Sequence, residues 1–194
     1  CIAVEHHTLT LAKTVATLDH ISNGRVLLGL GGGWNREEME NHGVEYATRF
    51  KKLEEQMRAL KQVWTQDSAS FHGEFEHFDN VWSWPKPAQD PHPPLFLGGA
   101  TDHTLRRIVR VAEGWLPITT NADAIIAKIQ KLDDFAREAG RHPDSISVSI
   151  FAAPPKDELV TKFRDTRAER IIFQVPPQDE SETLRRLDRY ARWV

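Results

Sequence analysis

The chain alternates two kinds of apolar pattern. Short apolar runs at 25–30, 95–97, 115–117 and 171–175, and the alternating stretch 145–151 with Ile146, Val148 and Ile150, read as strands. Between them, apolar residues recur every three or four positions, the spacing of one helical face. The helix predicted over 8–22 carries Leu11, Val15, Leu18 and Ile21 on its stripe, and Asn23-Gly24 stops it. A short helix is predicted over 35–41, with Asn35 as its cap and Glu38 three residues on. Thr48 precedes a longer helix carrying Phe50, Leu53, Met57, Leu60 and Trp64. Thr101 precedes one with Leu105, Ile108, Val109 and Ala112, and a helix over 122–139 carries Ile125, Ile129, Leu132 and Ala136. Pro154-Pro155 opens a helix with Leu159, Val160 and Phe163, and the last carries Leu184, Leu187 and Ala191. Residues 1–4 read as the tail of a further strand.

Residues 67–94 break this rhythm. Two β-type pieces flank His72-Gly73, which reads as a hairpin, and a Trp- and Pro-rich stretch from Trp82 to Pro94 follows as a stiff extended connection. An insertion of this kind is expected to supply part of a pocket wall. The remaining strand–helix alternation predicts an α/β fold with a parallel sheet covered by helices. A closed eight-fold barrel takes ~250 residues. The chain has 194 and opens with Cys mid-pattern, so it reads as a fragment too short to close a barrel by itself, and the barrel and the doubly wound open sheet both fit the alternation.

Composition narrows function only by exclusion. A net charge of −3 gives no electrostatic case for nucleic acid or an anionic membrane. Apolar runs fall well short of a bilayer span, and no signal-peptide pattern is seen, so a cytoplasmic location is expected. One cysteine, Cys1, rules out an intrachain disulfide framework. His72, His77, His92 and His103 lack a recognised ligand spacing, so no metal is expected. His6-His7 reads as a solvated loop.

The candidate chemistry lies at two glycine-ended runs. The first is Leu27-Leu28-Gly29-Leu30-Gly31-Gly32-Gly33-Trp34, leading into the helix capped by Asn35. The second is Leu95-Phe96-Leu97-Gly98-Gly99-Ala100-Thr101. Glycines let backbone amides converge, and the start of a helix adds partial positive charge, so such turns can hold a phosphate without a basic side chain. Gly31, Gly32, Gly33, Trp34, Gly98, Gly99, Ala100 and Thr101 are therefore the candidate cofactor-binding residues. The alternative for each glycine cluster is a tight turn between packed elements. Trp34 either walls a ring system or packs the strand-to-helix corner, and Trp115 reads as core. Asp19 and Arg25 read as a structural ion pair or caps.

Several pieces in order carry a family resemblance: 16–25 (Ala-Thr-Leu-Asp-His-Ile-Ser-Asn-Gly-Arg), Gly29 to Trp34, Arg49 and its helix, and the hairpin Phe71-His-Gly-Glu-Phe75. Pro85-Lys-Pro87, 94–99 and Glu113-Gly-Trp-Leu-Pro117 complete the set. Together they resemble the bacterial luciferase-like oxidoreductases, most closely the coenzyme F420-dependent branch. The resemblance implies a (β/α)8 barrel with an insertion after the fourth helix. It maps 25–30 to the fourth strand, 95–97 to the fifth and 171–175 to the eighth, with the first two βα units absent. It also implies bound F420, or alternatively FMN, and hydride transfer or oxygen activation on a small organic substrate. Gly32 and Gly33 would lie beside the cofactor, with Gly98, Gly99 and Thr101 around its phosphate. Members are often homodimers.

Departures bound the resemblance. Luciferase is similar but has arginine where this chain has Gly32, and the F420-dependent sugar-phosphate dehydrogenases have a catalytic glutamate where it has Trp34. No catalytic acid or base is assigned. Two rival readings are a dinucleotide-binding doubly wound domain, whose Gly-x-Gly-x-x-Gly pattern fails at Trp34, and a non-catalytic partial barrel.

Overall fold

The computed structural model describes residues 1–118 and 121–193. The central element is a parallel sheet of β1 (Leu28–Leu30), β4 (Leu95–Leu97), β5 (Gly114–Trp115), β6 (Ser147–Phe151) and β7 (Arg170–Ile172), in that spatial order. Strand order follows chain order without reversal. A doubly wound sheet reverses at its switch point, so this is an arc of a (β/α)8 barrel, and the dinucleotide-domain reading is set aside. Ile2 extends the arc by a parallel bridge to Gly31, which agrees with the predicted strand tail, although Ala3–Glu5 then turns into a 3-10 helix. The predicted final strand is shorter than its apolar run: only Arg170–Ile172 pairs.

The helices α1 (Thr8–Ile21), α3 (Arg49–Thr65), α4 (Asp102–Val111), α5 (Ala122–Glu138), α6 (Asp157–Arg164) and α7 (Glu180–Ala191) alternate with these strands; α2 (Arg36–Asn41) is the short one after β1. The predicted caps of α2 and α4 form, with Asn35 Oδ1 accepting from Glu38 N and Thr101 Oγ1 from Thr104 N. Thr48 sits at the start of α3 without a side-chain cap. Ile146, Val148 and Ile150 from the β6 region, with Leu95 and Leu97 on β4, fill the core beside the fully buried Trp115.

The α1 stripe is a correction. Leu11 and Val15 are buried, but Leu18 is 51% and Ile21 78% exposed. The face that packs is Leu11, Ala12, Val15, Ala16 and Asp19. Small residues let α1 approach α3 closely enough for the Trp64 indole to donate to the Ala12 carbonyl at 3.0 Å. α7 departs similarly: Leu184 and Leu187 are about half exposed, and no residue of that helix is buried.

Residues 67–94 form the expected hairpin, β2 (Ala69–His72) and β3 (His77–Val81), followed by the extended connection. Lys86 donates to the Val63 and Gln66 carbonyls at the end of α3, where a cation complements the helix dipole. Asp19 anchors the far end of the connection. Its carboxylate accepts from the Gln89 amide (2.9 Å), the Gln89 side chain (2.7 Å) and the Val26 amide (3.3 Å). Asp19 is thus a cap, as one of the two readings had it. Arg25 instead donates to the Ser22 carbonyl, so the two form no ion pair.

Candidate functional site

β1 and β4 are neighbours in register, so their C-terminal ends place both glycine turns side by side. A cavity of about 650 Å³ opens there. Gly31, Gly32, Gly33, Trp34, Gly98, Gly99 and Thr101 all line it, which brings together seven of the eight candidate residues. Ala100 lies between them without lining the cavity and packs partly against the core. This is the strand end at which barrel folds carry their sites.

Gly32, Gly33 and Gly99 each have a steric or conformational reason. Gly33 has φ +72°, and a Cβ there would meet Met39 Cε at 1.9 Å. Gly99 has φ +93°, also a left-handed conformation. A Cβ on Gly32 would meet the Phe50 ring at 2.6 Å, whereas one on Gly31 would meet nothing.

The backbone leaves donors available. Gly31 N–H is spent on the Cys1 carbonyl and Gly98 N–H on the Leu30 carbonyl. Among the described residues, the amides of Gly32, Gly33, Gly99 and Ala100 donate to no group of the chain. The α4 N-terminus adds its own partial positive charge beside them. Asp102 stands in its first turn, but Lys128 (3.0 Å) and Lys131 (2.5 Å) hold that carboxylate, lowering its pKa to about 2. Its charge is thereby compensated where an anion would arrive.

Five further lining residues come from elsewhere: Ile2, Phe50, His103, Thr104 and Arg107. Sequence reading missed them. A signal was present for two, because Thr104 and Arg107 follow the candidate Thr101 at every third residue along one face of α4. The Arg107 Nε lies 3.3 Å from Glu54 Oε2, and its guanidinium lies 5.1 Å from the Phe50 ring centroid. Burial pulls the Arg107 pKa down while Glu54 opposes that shift. Glu54 is also held by Arg58 and Arg110; burial alone would raise its pKa, but these guanidinium contacts outweigh it and the net shift is downward. Trp34 stands 82% exposed at the rim, so it walls the opening and does not pack the corner.

The insertion takes no part in the cavity lining, contrary to expectation. It packs against α1 and α3 instead, with Lys13 donating to the Trp84 carbonyl and His20 Nε2 lying 2.6 Å from that of Lys86. His6 and His7 are exposed. No described helix is long and apolar enough to cross a membrane.

Comparison with known proteins agrees with this architecture. The family model for luciferase-like monooxygenases matches residues 1–189. An uncharacterised protein of Mycobacterium tuberculosis is 38% identical over 192 residues, covering 98% of this chain and 67% of that one. The FMNH2-dependent dimethylsulfone monooxygenase of Pseudomonas putida is 33% identical over 170 residues, 86% of this chain and 46% of that one. The F420-dependent glucose-6-phosphate dehydrogenase of Nakamurella multipartita is 27% identical over 173 residues, 87% of this chain and 48% of that one. The chain thus spans two thirds of the mycobacterial relative and about half of the other two. In fold, it superimposes on the monooxygenase RslO1 of Streptomyces bottropensis with a TM-score of 0.83 at 20% identity, covering 100% of this chain and 75% of that one. A parallel arc with its glycine turns at one end, together with a family model matched along nearly the whole chain, places this protein in the luciferase-like monooxygenase family.

Proposed function

We propose that this chain carries the cofactor-binding face of a flavin- or deazaflavin-dependent oxidoreductase acting on a small organic substrate, with F420 preferred over FMN. The observation that carries the reading is the set of amides of Gly32, Gly33 and Gly99, without a partner in the chain, at one cavity beside the α4 N-terminus, with that of Ala100 adjoining. In this reading Gly98, Gly99, Ala100 and Thr101 hold the phosphate. Gly31, Gly32 and Gly33 lie along the ring system, and Trp34 walls its open side. Relatives of both cofactor types fit the family. The preference for F420 rests on Gly32. Phe50 occupies the space a side chain there would need, which leaves no room for an arginine reaching a phosphate from that loop. The chemistry supplied by such a group when bound is hydride transfer, or oxygen activation by a reduced flavin. The chain's own part is to fix the ring and phosphate against the strand ends.

Side-by-side fluorescence titrations of the protein with F420 and FMN test this. Tighter F420 binding is expected, and tighter FMN binding reverses the assignment. Gly99→Asp adds bulk at φ +93°, 3.2 Å from Thr104 Oγ1, and a negative charge. It is expected to weaken binding of either cofactor by at least about tenfold. Unchanged affinity removes Gly99 from the site.

A further inference from the structure

On the hairpin of the insertion, His72 and His77 are directly paired across the strands, and Asp79 lies two residues beyond His77 on the same face. His72 Nε2 lies 2.9 Å from Asp79 Oδ1, and His77 Nε2 lies 3.6 Å from Asp79 Oδ2. One ligand atom from each residue falls within 4.8 Å of the other two. We propose that His72, His77 and Asp79 form a divalent-cation site of the Zn²⁺ class, with solvent completing the coordination.

The ligand set is two imidazoles and one carboxylate, a borderline nitrogen–oxygen set suited to Zn²⁺ and its neighbours and not to Mg²⁺ or Ca²⁺. Ligands about 2.0–2.2 Å from a tetrahedral Zn²⁺ lie roughly 3.3 Å apart, so small side-chain movements bring these atoms to their places. Without a cation, one carboxylate serves two imidazoles whose ring centroids are 4.7 Å apart. Among the described residues neither imidazole has another polar partner. A cation would use both imidazole nitrogen lone pairs and the carboxylate at once.

The scaffold under the site is already fixed. Glu55 on α3 accepts from the amides of Glu74, Phe75 and Glu76 at 2.8–3.2 Å, clamping the turn that joins the two strands. Gly73 makes room for that clamp, since a Cβ there would lie 2.2 Å from Glu55 Oε2. Phe71 and Phe78 stack at 6.2 Å between the same two strands. The hairpin register is therefore held before any cation arrives, so binding needs to order only three exposed side chains. Sequence spacing hides the set because hairpin pairing, not a helical repeat, brings it together.

The test uses Zn²⁺ alone with the full chain. Titration against a chromophoric chelator is expected to give one Zn²⁺ per chain with a roughly micromolar dissociation constant. Nitrogen-15 imidazole NMR is expected to show His72 and His77 shifting while the other seven histidines stay in place. His77→Ala and Asp79→Asn should each weaken binding at least about tenfold. His142→Ala, at an exposed His–Asp pair with no third ligand, should leave it unchanged. Circular dichroism melts of the protein without Zn²⁺ confirm that the variants fold, and Asp79→Asn retains side-chain shape if His77→Ala does not. Absence of binding below about 100 µM overturns the proposal. So does equal affinity in wild type and Asp79→Asn, or imidazole shifts at other histidines.

Discussion

The Trp115 indole donates to the carbonyl of Gly99 at 2.6 Å. Trp115 is fully buried on β5, and Gly99 forms the turn after β4. A trans peptide points its N–H opposite to its C=O, so this bond also turns the Ala100 amide away from Trp115. A core side chain thereby orients the peptide group that follows the cavity-lining Gly99.

Trp115→Phe keeps most of the volume and removes the donor. The Gly99 carbonyl then loses its partner, which costs about 1–2 kcal/mol. Cofactor affinity measured by fluorescence titration is expected to fall roughly tenfold. A thermal melt should show a drop of a few degrees. Affinity that holds while the melting temperature falls would restrict Trp115 to a packing role.

Gly33→Ala tests the first glycine turn by stability alone. The variant must hold φ +72° with a Cβ and displace the fully buried Met39. Left-handed strain and overpacking together are expected to cost about 2–4 kcal/mol, read as a lower urea midpoint with an unchanged slope. Gly31→Ala is the control, since its Cβ meets nothing within 4 Å. It should cost less than about 1 kcal/mol.

Asp19 gives the fold a pH dependence. Burial alone would raise its pKa, but hydrogen bonds from Gln89, Val26 and Ala88 outweigh it and lower the pKa below the ordinary 3.8. A carboxyl depressed in the folded state contributes its full stability above pH 3.8 and loses it as pH falls through the folded value. Asp19→Asn should therefore destabilise by about 2 kcal/mol at neutral pH, with the gap narrowing as pH falls below about 4. Chemical denaturation of both proteins across that range checks the sign. A gap that widens toward acid would contradict it.

Much of this was legible in the sequence for local reasons. Asn35 and Thr101 announce their helices by hydroxyl or amide chemistry at the right offset, and both caps form. The glycine turns could be found because their backbone demands are written in the residues themselves. What was not legible depends on partners far along the chain. Leu18 and Ile21 fit a helical stripe, yet the helix turns Ala12, Ala16 and Asp19 inward because α3 and Gln89 meet it there. The insertion was expected at the cavity, but the contacts of Lys86 and Gln89 commit it to α3 and to the α1–β1 turn. Arg107 was hidden because an arginine in an amphipathic helix ordinarily reads as the solvent face.

The pairing of Gly32 with Phe50 separates two properties that most binding sites entangle. In the proposed reading, anchorage falls to main-chain amides after β1 and β4, which side-chain replacements other than at supporting positions such as Trp115 alter little. Contour is delegated to a single ring on α3, inserted where Gly32 has no side chain of its own. Exchanging that ring for a smaller or larger one reshapes the chamber and leaves the anchor untouched. Position 50 is thus a natural dial for molecular evolution, by which one ancestral holder can be fitted to new guests.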